Sequence, residues 1–301
     1  MRSCDSILSC IGNTPLVRLR TLGGGRVLAK AEFLNPGGSI KDRVAKYIIE
    51  TSMKRGDLKK DSIIVEATSG NTGIGVAFVG IQHGFRVIIA MPENMSEERK
   101  KIIRALGAEL METPAEKSIE GAVEKVKELQ QKDPRVWVVG QFTNPLNPEI
   151  HYQTTGPEIW EQCNGKVDSL VAGVGSGGTL AGVGKFLKEK NPHIRIVAVE
   201  PKNVSALLGH EPGLHQIQGI GDGFIPSVLD VKIINHVIEV TDEEAIETTR
   251  ALAREEGLLV GTSSGANVWA AAREAAFLGP EATVVTVLPD RAERYFSTSL
   301  I

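Results

Sequence analysis

The stretch Asn35-Pro36-Gly37-Gly38-Ser39-Ile40-Lys41-Asp42-Arg43 puts a lysine where a lysine becomes chemically active. Its Pro-Gly-Gly turn continues neither a strand nor a helix. Ser39 then stands at an N-cap position, and Asp42 follows in the first turn. Val44, Ala45, Ile48 and Ile49 recur at helical spacing, and the run ends near Gly56. Lys41 therefore sits at a helix N-terminus, where unpaired N–H groups and the helix dipole oppose a positive charge. A lysine so placed is biased toward the neutral amine, the form that makes Schiff bases. A surface lysine opening an ordinary helix has the same local sequence, so the other motifs must decide.

The sharpest of these is Gly173-Val174-Gly175-Ser176-Gly177-Gly178-Thr179, between a buried strand and a helix. Its N–H groups and the helix dipole make an anion seat, commonly taken by a phosphate. Gly173, Gly175 and Gly178 also fit G-x-G-x-x-G, and Glu200 closes the next strand roughly 20 residues on. That is a full dinucleotide fingerprint, so an NAD-dependent dehydrogenase competes. A P-loop is excluded, because Gly184-Lys185 is followed by Phe186. A second strand-to-helix turn reads Thr68-Ser69-Gly70-Asn71-Thr72-Gly73. Its hydroxyl and amide side chains, with the helix N-terminus, suit a carboxylate held by neutral donors. A plain N-cap would need only one of them. NAD gives no role to this loop or to Lys41. A small phosphorylated cofactor that forms a lysine imine uses all three, and that cofactor is pyridoxal phosphate.

The elements that must position these residues alternate. Strand-like runs at 14–19, 27–33, 62–67, 86–91, 109–112, 136–140, 169–173, 194–200 and 283–288 are separated by helical patterns. The helix over 243–256 opens with the capping box Thr241-Asp242-Glu243-Glu244. The like-charge pairs Glu120–Glu124 and Glu124–Glu128 mark a solvated face of the helix at 115–131. Alternation of this kind predicts an α/β fold of parallel sheets covered on both faces. The 301 residues exceed one typical core of about 100 to 200, so two sheets are expected, with a seam near residue 145. Hydrophobic residues at 42% and charged residues at 24% are ordinary globular values. A net charge of −3 gives no electrostatic case for nucleic acid or an acidic membrane surface. Cys4, Cys10 and Cys163 show no CxxC spacing, and so imply neither a disulfide framework nor a metal site. With no apolar h-region and no membrane-length apolar run, the expectation is a reduced, cytoplasmic, soluble protein.

Seven motifs, in order, resemble the cysteine synthase (O-acetylserine sulfhydrylase) and cystathionine β-synthase family. They are Asn-Pro-Gly-Gly-Ser-Ile-Lys-Asp-Arg, Thr-Ser-Gly-Asn-Thr-Gly, Gln-Phe-x-Asn-Pro, Gly-Ser-Gly-Gly-Thr, Gly-Ile-Gly-x-Gly-Phe-Ile-Pro, Ser-Ser-Gly-Ala and Leu-Pro-Asp-x-x-Glu-Arg-Tyr. The resemblance runs from Ile11-Gly12-Asn13-Thr14-Pro15-Leu16 to Tyr295. It implies a two-domain, fold type II pyridoxal phosphate enzyme, each domain a mostly parallel twisted sheet covered by helices. Residues 1–145 would form one domain and 146–301 the other, with early strands crossing to the second. It also implies a homodimer, and a catalytic core without haem segment or regulatory domains; a serine acetyltransferase stays open as a partner.

Carried over by motif, Lys41 holds the cofactor as an imine and Asn71 bonds its ring oxygen. Gly175, Ser176, Gly177, Gly178 and Thr179 hold the phosphate. Ser263, or its neighbour Ser264, faces the pyridine nitrogen. Thr68, Ser69, Asn71, Thr72 and Gln141 hold the amino acid carboxylate, with Gly219 beside the reacting carbon. The implied reaction is β-replacement, with Lys41 as the base at Cα. O-acetylserine with sulfide, giving cysteine, is the leading pair. Two positions depart from the sulfhydrylase pattern. Asp222 occupies a slot that is commonly small and neutral, and a carboxylate there repels an anionic nucleophile and activates a neutral thiol or water. That makes reaction on cysteine or serine, with release of hydrogen sulfide from cysteine, the alternative. Arg291 either alters contacts near the ring or lies on the surface. A non-catalytic sulfur-ligand sensor is the remaining reading, opposed by the presence of Lys41, Asn71 and Ser263.

Overall fold

The computed structural model describes residues 4–24, 26–68 and 70–298. In chain order it runs β1 (Leu16–Arg18), β2 (Val27–Lys30), α1 (Lys41–Arg55), β3 (Ile63–Ala67), α2 (Asn71–Gln82), β4 (Arg86–Pro92), α3 (Glu97–Ala105), β5 (Glu109–Thr113), α4 (Ser118–Lys132) and β6 (Val136–Val138). There follow α5 (Leu146–Ile150), a π-helical turn (His151–Thr155), α6 (Gly156–Gln162), β7 (Ser169–Gly173), α7 (Gly178–Lys190), β8 (Arg195–Pro201), β9 (His236–Val240), α8 (Asp242–Glu256), α9 (Thr262–Leu278) and β10 (Val284–Val287).

Two sheets result. One has four parallel strands in the order β5-β4-β3-β6. The other has six, in the order β1-β2-β10-β7-β8-β9, parallel except for β1 against β2. Residues 16–30 thus pair in the six-stranded sheet, while Leu146 and Ile150 pack into the core of the four-stranded one. Strand β9 escapes a sequence reading: it is a half-buried edge strand, and its alternation is weak.

Strand β3 is apolar because both faces are covered: Ile64 packs with α1 and α2, while Val65 packs on the α4 side. Helix α2 carries glycines where it meets its neighbours. A Cβ on Gly75 would lie 2.9 Å from the Lys41 carbonyl oxygen, so only glycine lets α2 press against the first turn of α1. That contact helps fix where Lys41 points.

Ser39 is not the N-cap of α1. Ile40 takes that position in helical conformation and makes no side-chain cap, although Ser39 Oγ still accepts the Lys41 N–H at 3.3 Å. The strand-like pairing of Ser39 with Asp290, and the bond from Ile40 N–H to the Pro289 carbonyl, hold this backbone against the loop after β10 instead. By contrast the Thr241 capping box is present: Glu244 N–H donates to Thr241 Oγ1 at 3.2 Å, and Thr241 N–H to Glu244 Oε2 at 2.9 Å. Thr241→Ala should cost about 1 kcal/mol, read as a lower urea midpoint with an unchanged slope. Among the described residues no helix is long and apolar enough to cross a membrane, and no side-chain group could hold a metal ion.

Candidate active site

Ligands in parallel sheets bind beyond the carboxyl ends of the strands, where the strand order changes direction. In the four-stranded sheet that point is β3/β6, and in the six-stranded sheet it is β7/β10. The loops after all four strands line one cleft with about 880 Å³ of empty space, part of it open to solvent.

Lys41 enters this cleft half-buried from the start of α1, and its Nζ donates to Ser176 Oγ at 3.1 Å. Burial lowers its pKa to about 8, and the negative Asp222 only partly opposes that fall. Desolvation thus biases Lys41 toward the neutral amine, the direction that the sequence argument drew from the helix N-terminus.

Gly175, Ser176, Gly177 and Thr179 line the cleft, while Gly178 lies behind its wall as the first residue of α7. Gly177 takes the left-handed region at φ +78°, which glycine adopts without strain, at the turn into α7. No side chain caps α7, which leaves its N-terminal dipole free for an anion. Asn147, fully buried, donates to Ser176 Oγ at 3.0 Å and to the Gln141 carbonyl at 2.8 Å. His151 Nε2 lies 3.4 Å from Thr179 Oγ1, with Nδ1 3.0 Å from Thr155 Oγ1. Burial, with the charges of Arg43 and Lys41, keeps this histidine neutral.

On the facing wall Thr68, Asn71, Thr72 and Gln141 line the cleft, and Thr72 donates its hydroxyl proton to Gln141 Oε1 at 2.6 Å. Ser69 lies outside the described residues. Asn71 is held at both ends of its amide: Nδ2 donates to Asp290 Oδ2 at 2.7 Å, and Oδ1 accepts from Arg294. Tyr295 also donates to Asp290, at 2.6 Å.

Ser263 lines the cleft from the first turn of α9, whereas Ser264 does not. Below it Asn267 bridges two strand ends: its Oδ1 accepts from Gly173 N–H at 2.8 Å, and its Nδ2 donates to the Val287 carbonyl at 2.8 Å. Gly219 and Asp222 close the rim. Water reaches the Asp222 carboxylate, so solvent screens the upward push that burial exerts on its pKa, and the charges of Lys41 and His215 oppose that push too.

Two expectations from the sequence are resolved by geometry. Glu200, the acid of the dinucleotide fingerprint, is buried and accepts from Ser205 at 2.6 Å and Leu207 N–H at 3.0 Å, outside the cleft. Arg291 neither lines the cleft nor lies free on the surface. It is half-buried and donates to the Phe33 carbonyl at 2.9 Å.

Asn147, His151 and Asn267 were not singled out as site residues in the sequence. Asp290 and Arg294 stood inside a quoted motif without a role. Their signal is a buried amide, imidazole or ion next to a loop, which nothing in linear spacing reports. Together the set fits pyridoxal phosphate: an anion seat at an uncapped helix start, a low-pKa lysine beside it, and a short hydroxyl at a second helix N-terminus.

The family described as pyridoxal-phosphate dependent enzyme matches residues 7–290. A cysteine synthase from Staphylococcus aureus is 49% identical over 300 residues, covering 98% of this chain and 96% of its own. An O-acetylserine dependent cystathionine β-synthase from Helicobacter pylori superposes with a TM-score of 0.94 at 42% identity, covering 100% of this chain and 99% of its own. A hydrogen sulfide-producing enzyme from Fusobacterium nucleatum gives a TM-score of 0.93 at 39% identity, covering 98% of this chain and 100% of its own. The chain therefore belongs to the pyridoxal-phosphate dependent enzymes, with the two-sheet fold type II architecture of the cysteine synthases.

Proposed function

We propose that this enzyme makes L-cysteine from O-acetyl-L-serine and sulfide by β-replacement. The observation that carries the reading is the position of Lys41. It stands where both strand-order reversals meet, beside an anion seat, with its amine brought to about pKa 8. Pyridoxal phosphate, when bound, withdraws electrons from the substrate Cα so that a β-substituent can leave. Gly175, Ser176, Gly177, Gly178 and Thr179 would hold its phosphate, Asn71 its ring oxygen, and Ser263 would face its ring nitrogen. Thr68, Ser69, Asn71, Thr72 and Gln141 seat the substrate carboxylate, and Gly219 flanks the reacting carbon.

Lys41 would anchor the cofactor, and as a free amine it is the base that takes the Cα proton and later returns it. The serine hydroxyl of Ser263 gives the ring nitrogen a weaker partner than a carboxylate would, which favours loss of the β-group over transamination. Lys41 and the carboxylate seat belong to the four-stranded half, and the phosphate seat to the six-stranded half. With this reading go a homodimer, the cytoplasm as its place, and a serine acetyltransferase as a candidate partner. The test is to offer the holoenzyme O-acetylserine, serine, O-phosphoserine and cysteine in turn, with sulfide or a thiol. Cysteine formed fastest from O-acetylserine and sulfide supports the reading.

A second reading is favoured by Asp222, whose carboxylate lines the cleft and acts electrostatically on Lys41. A negative charge there disfavours hydrosulfide and can take the proton of a neutral thiol or water. The enzyme would then also act on cysteine, releasing sulfide. Asp222→Ala should lower sulfide release from cysteine relative to cysteine formation by roughly a hundredfold, at the low end of general-base effects. An unmoved ratio removes Asp222 from the choice of nucleophile.

A further inference from the structure

Glu66 sits at the end of β3, two residues before Thr68, and is only 2% exposed. Its carboxylate accepts the backbone N–H of Gly140 at 2.9 Å and of Gln141 at 3.5 Å. From the other side Asn147 Nδ2 grips the Gln141 carbonyl at 2.8 Å. Gly140, at φ +67°, turns the chain out of β6 at this point. The Gln141 backbone is thus clamped between a buried carboxylate and a buried amide, while its side chain faces Thr72 in the cleft.

We propose that Glu66 is a positioning residue for the substrate carboxylate: its ionised form holds Gly140 and Gln141 so that Gln141 completes the seat, and its protonated form lets them go. This rests on the reading above in which Thr68, Asn71, Thr72 and Gln141 bind that carboxylate. The chemistry is one of matching donors. Both partners of Glu66 are N–H groups, which an ionised carboxylate satisfies with either oxygen. A protonated carboxyl turns one oxygen into a donor and sets it against another donor, in a site where an unmade bond is expensive.

Burial raises the pKa of Glu66 to about 7, with the two N–H groups opposing, so the change falls in the working range. No other charge competes for it among the described residues. Strands β4 and β6 and helices α2 and α4 pack on β3, and α1 packs on Ile64, on the same strand face as Glu66. The charged groups at the start of α1 have partners elsewhere: Lys41 on Ser176, Asp42 on the Gly37 N–H, Arg43 on Glu32 and Glu158, and Lys46 on the Leu8 carbonyl, while Tyr47 donates to Glu149. Neither α2 nor β6 has an ionisable side chain within its span. Arg86 of β4 pairs with Glu109 at the other end of the sheet, opposite Ile63. The acids and lysines of α4 between 120 and 128 face outward, with Lys125 paired to Glu128 and Glu124 to Lys117.

The test titrates the holoenzyme with L-alanine, which has the carboxylate but no β-leaving group, by calorimetry from pH 6 to 8.5. Wild type, Glu66→Gln, Glu66→Asp and Gln141→Ala are compared, with thermal melting and bound-cofactor absorbance as controls. Gln presents one N–H₂ to the same donors and so imitates the protonated state at every pH. Glu66→Gln should bind L-alanine about tenfold more weakly at pH 8, the size of losing one charge-assisted hydrogen bond. The gap should close toward pH 6, with cofactor absorbance unchanged, and KM should rise more than kcat falls.

Glu66→Asp keeps a charge and should keep the inflection near neutrality. A Glu66→Gln profile parallel to wild type overturns the proposal. If Glu66→Gln does not fold, a Glu66→Asp profile lacking the inflection at unchanged affinity overturns it. If Gln141→Ala binds L-alanine as wild type does, the carboxylate seat itself is misassigned. If Gln141→Ala weakens binding and Glu66→Gln does not, only the role of Glu66 falls.

Discussion

Lys41→Ala is expected to fold normally and to lose at least about 10³-fold of β-replacement activity, because one residue supplies both the covalent anchor and the base. In free energy of activation that is about 4 kcal/mol. The fold should survive because the amine makes one side-chain hydrogen bond, to Ser176 at 3.1 Å, and its burial already disfavours its charge. Truncation removes a desolvated cation and leaves no buried acid unpaired. The check has two parts. Borohydride treatment followed by peptide mass mapping should fix the cofactor to the Lys41 peptide in wild type and to none in the variant. The rate of cysteine formation should fall in parallel. A reduced adduct on another lysine of the variant would mean that Lys41 is not the anchor.

Arg43→Ala, two residues along, should act on stability. Its guanidinium grips Glu32 with Nε at 2.8 Å and Nη2 at 2.8 Å, and Glu158 with Nη1 at 2.6 Å and Nη2 at 2.7 Å. Lys30 adds a bond to Glu158 at 2.7 Å. Two cations and two anions are thus neutral together, and they tie β2 of one sheet to α1 and α6. Removing Arg43 leaves two largely buried carboxylates with one lysine, which should cost about 3–5 kcal/mol and appear as a clear drop in melting temperature.

The sign with pH follows from the carboxylates. Burial pushes Glu32 and Glu158 up, but Arg43 outweighs it and holds both below the usual range. Groups with depressed pKa values stabilise the fold above their unfolded values, near pH 4.3, and that stability is lost as the pH falls further. The gap between wild type and Arg43→Ala should therefore be widest at neutral pH and narrow in acid. A gap that does not narrow as the pH falls from 7 through 4.3 to about 3 would show that Arg43 acts through packing and not through its charge.

The sequence by itself determined the reaction class and most of the residues that face the cleft. Glycines and prolines fix backbone turns locally, so Pro36-Gly37-Gly38 and Gly175 to Gly178 announce loops wherever they occur. Short apolar runs announce buried strands, so β3, β4, β7, β8 and β10 and the loops after them were legible. Lys41, Ser176 and Asn71 sit at such loops or helix starts, and so could be read from order and spacing, whereas Ser263 followed from the family resemblance alone. What supports them could not.

Asn147, Asn267, Glu66, Asp290 and Arg294 are polar residues whose meaning lies in partners far along the chain. Asp290 meets Asn71 across 219 residues, and Glu66 meets Gly140 across 74. Only the tertiary structure decided these pairings, because they depend on which strand ends the two sheets bring together. It also decided that β1 and β2 return to the second sheet, and that Ile40 rather than Ser39 is the N-cap residue of α1. It separated Ser263 from Ser264 by the direction each faces on α9, and it engaged Glu200 in a turn outside the cleft. The physical reason is the same in each case. Turn chemistry and hydrophobic period act over a few residues and survive in a linear string, whereas the burial of a polar group and its choice of partner exist only once distant segments have packed.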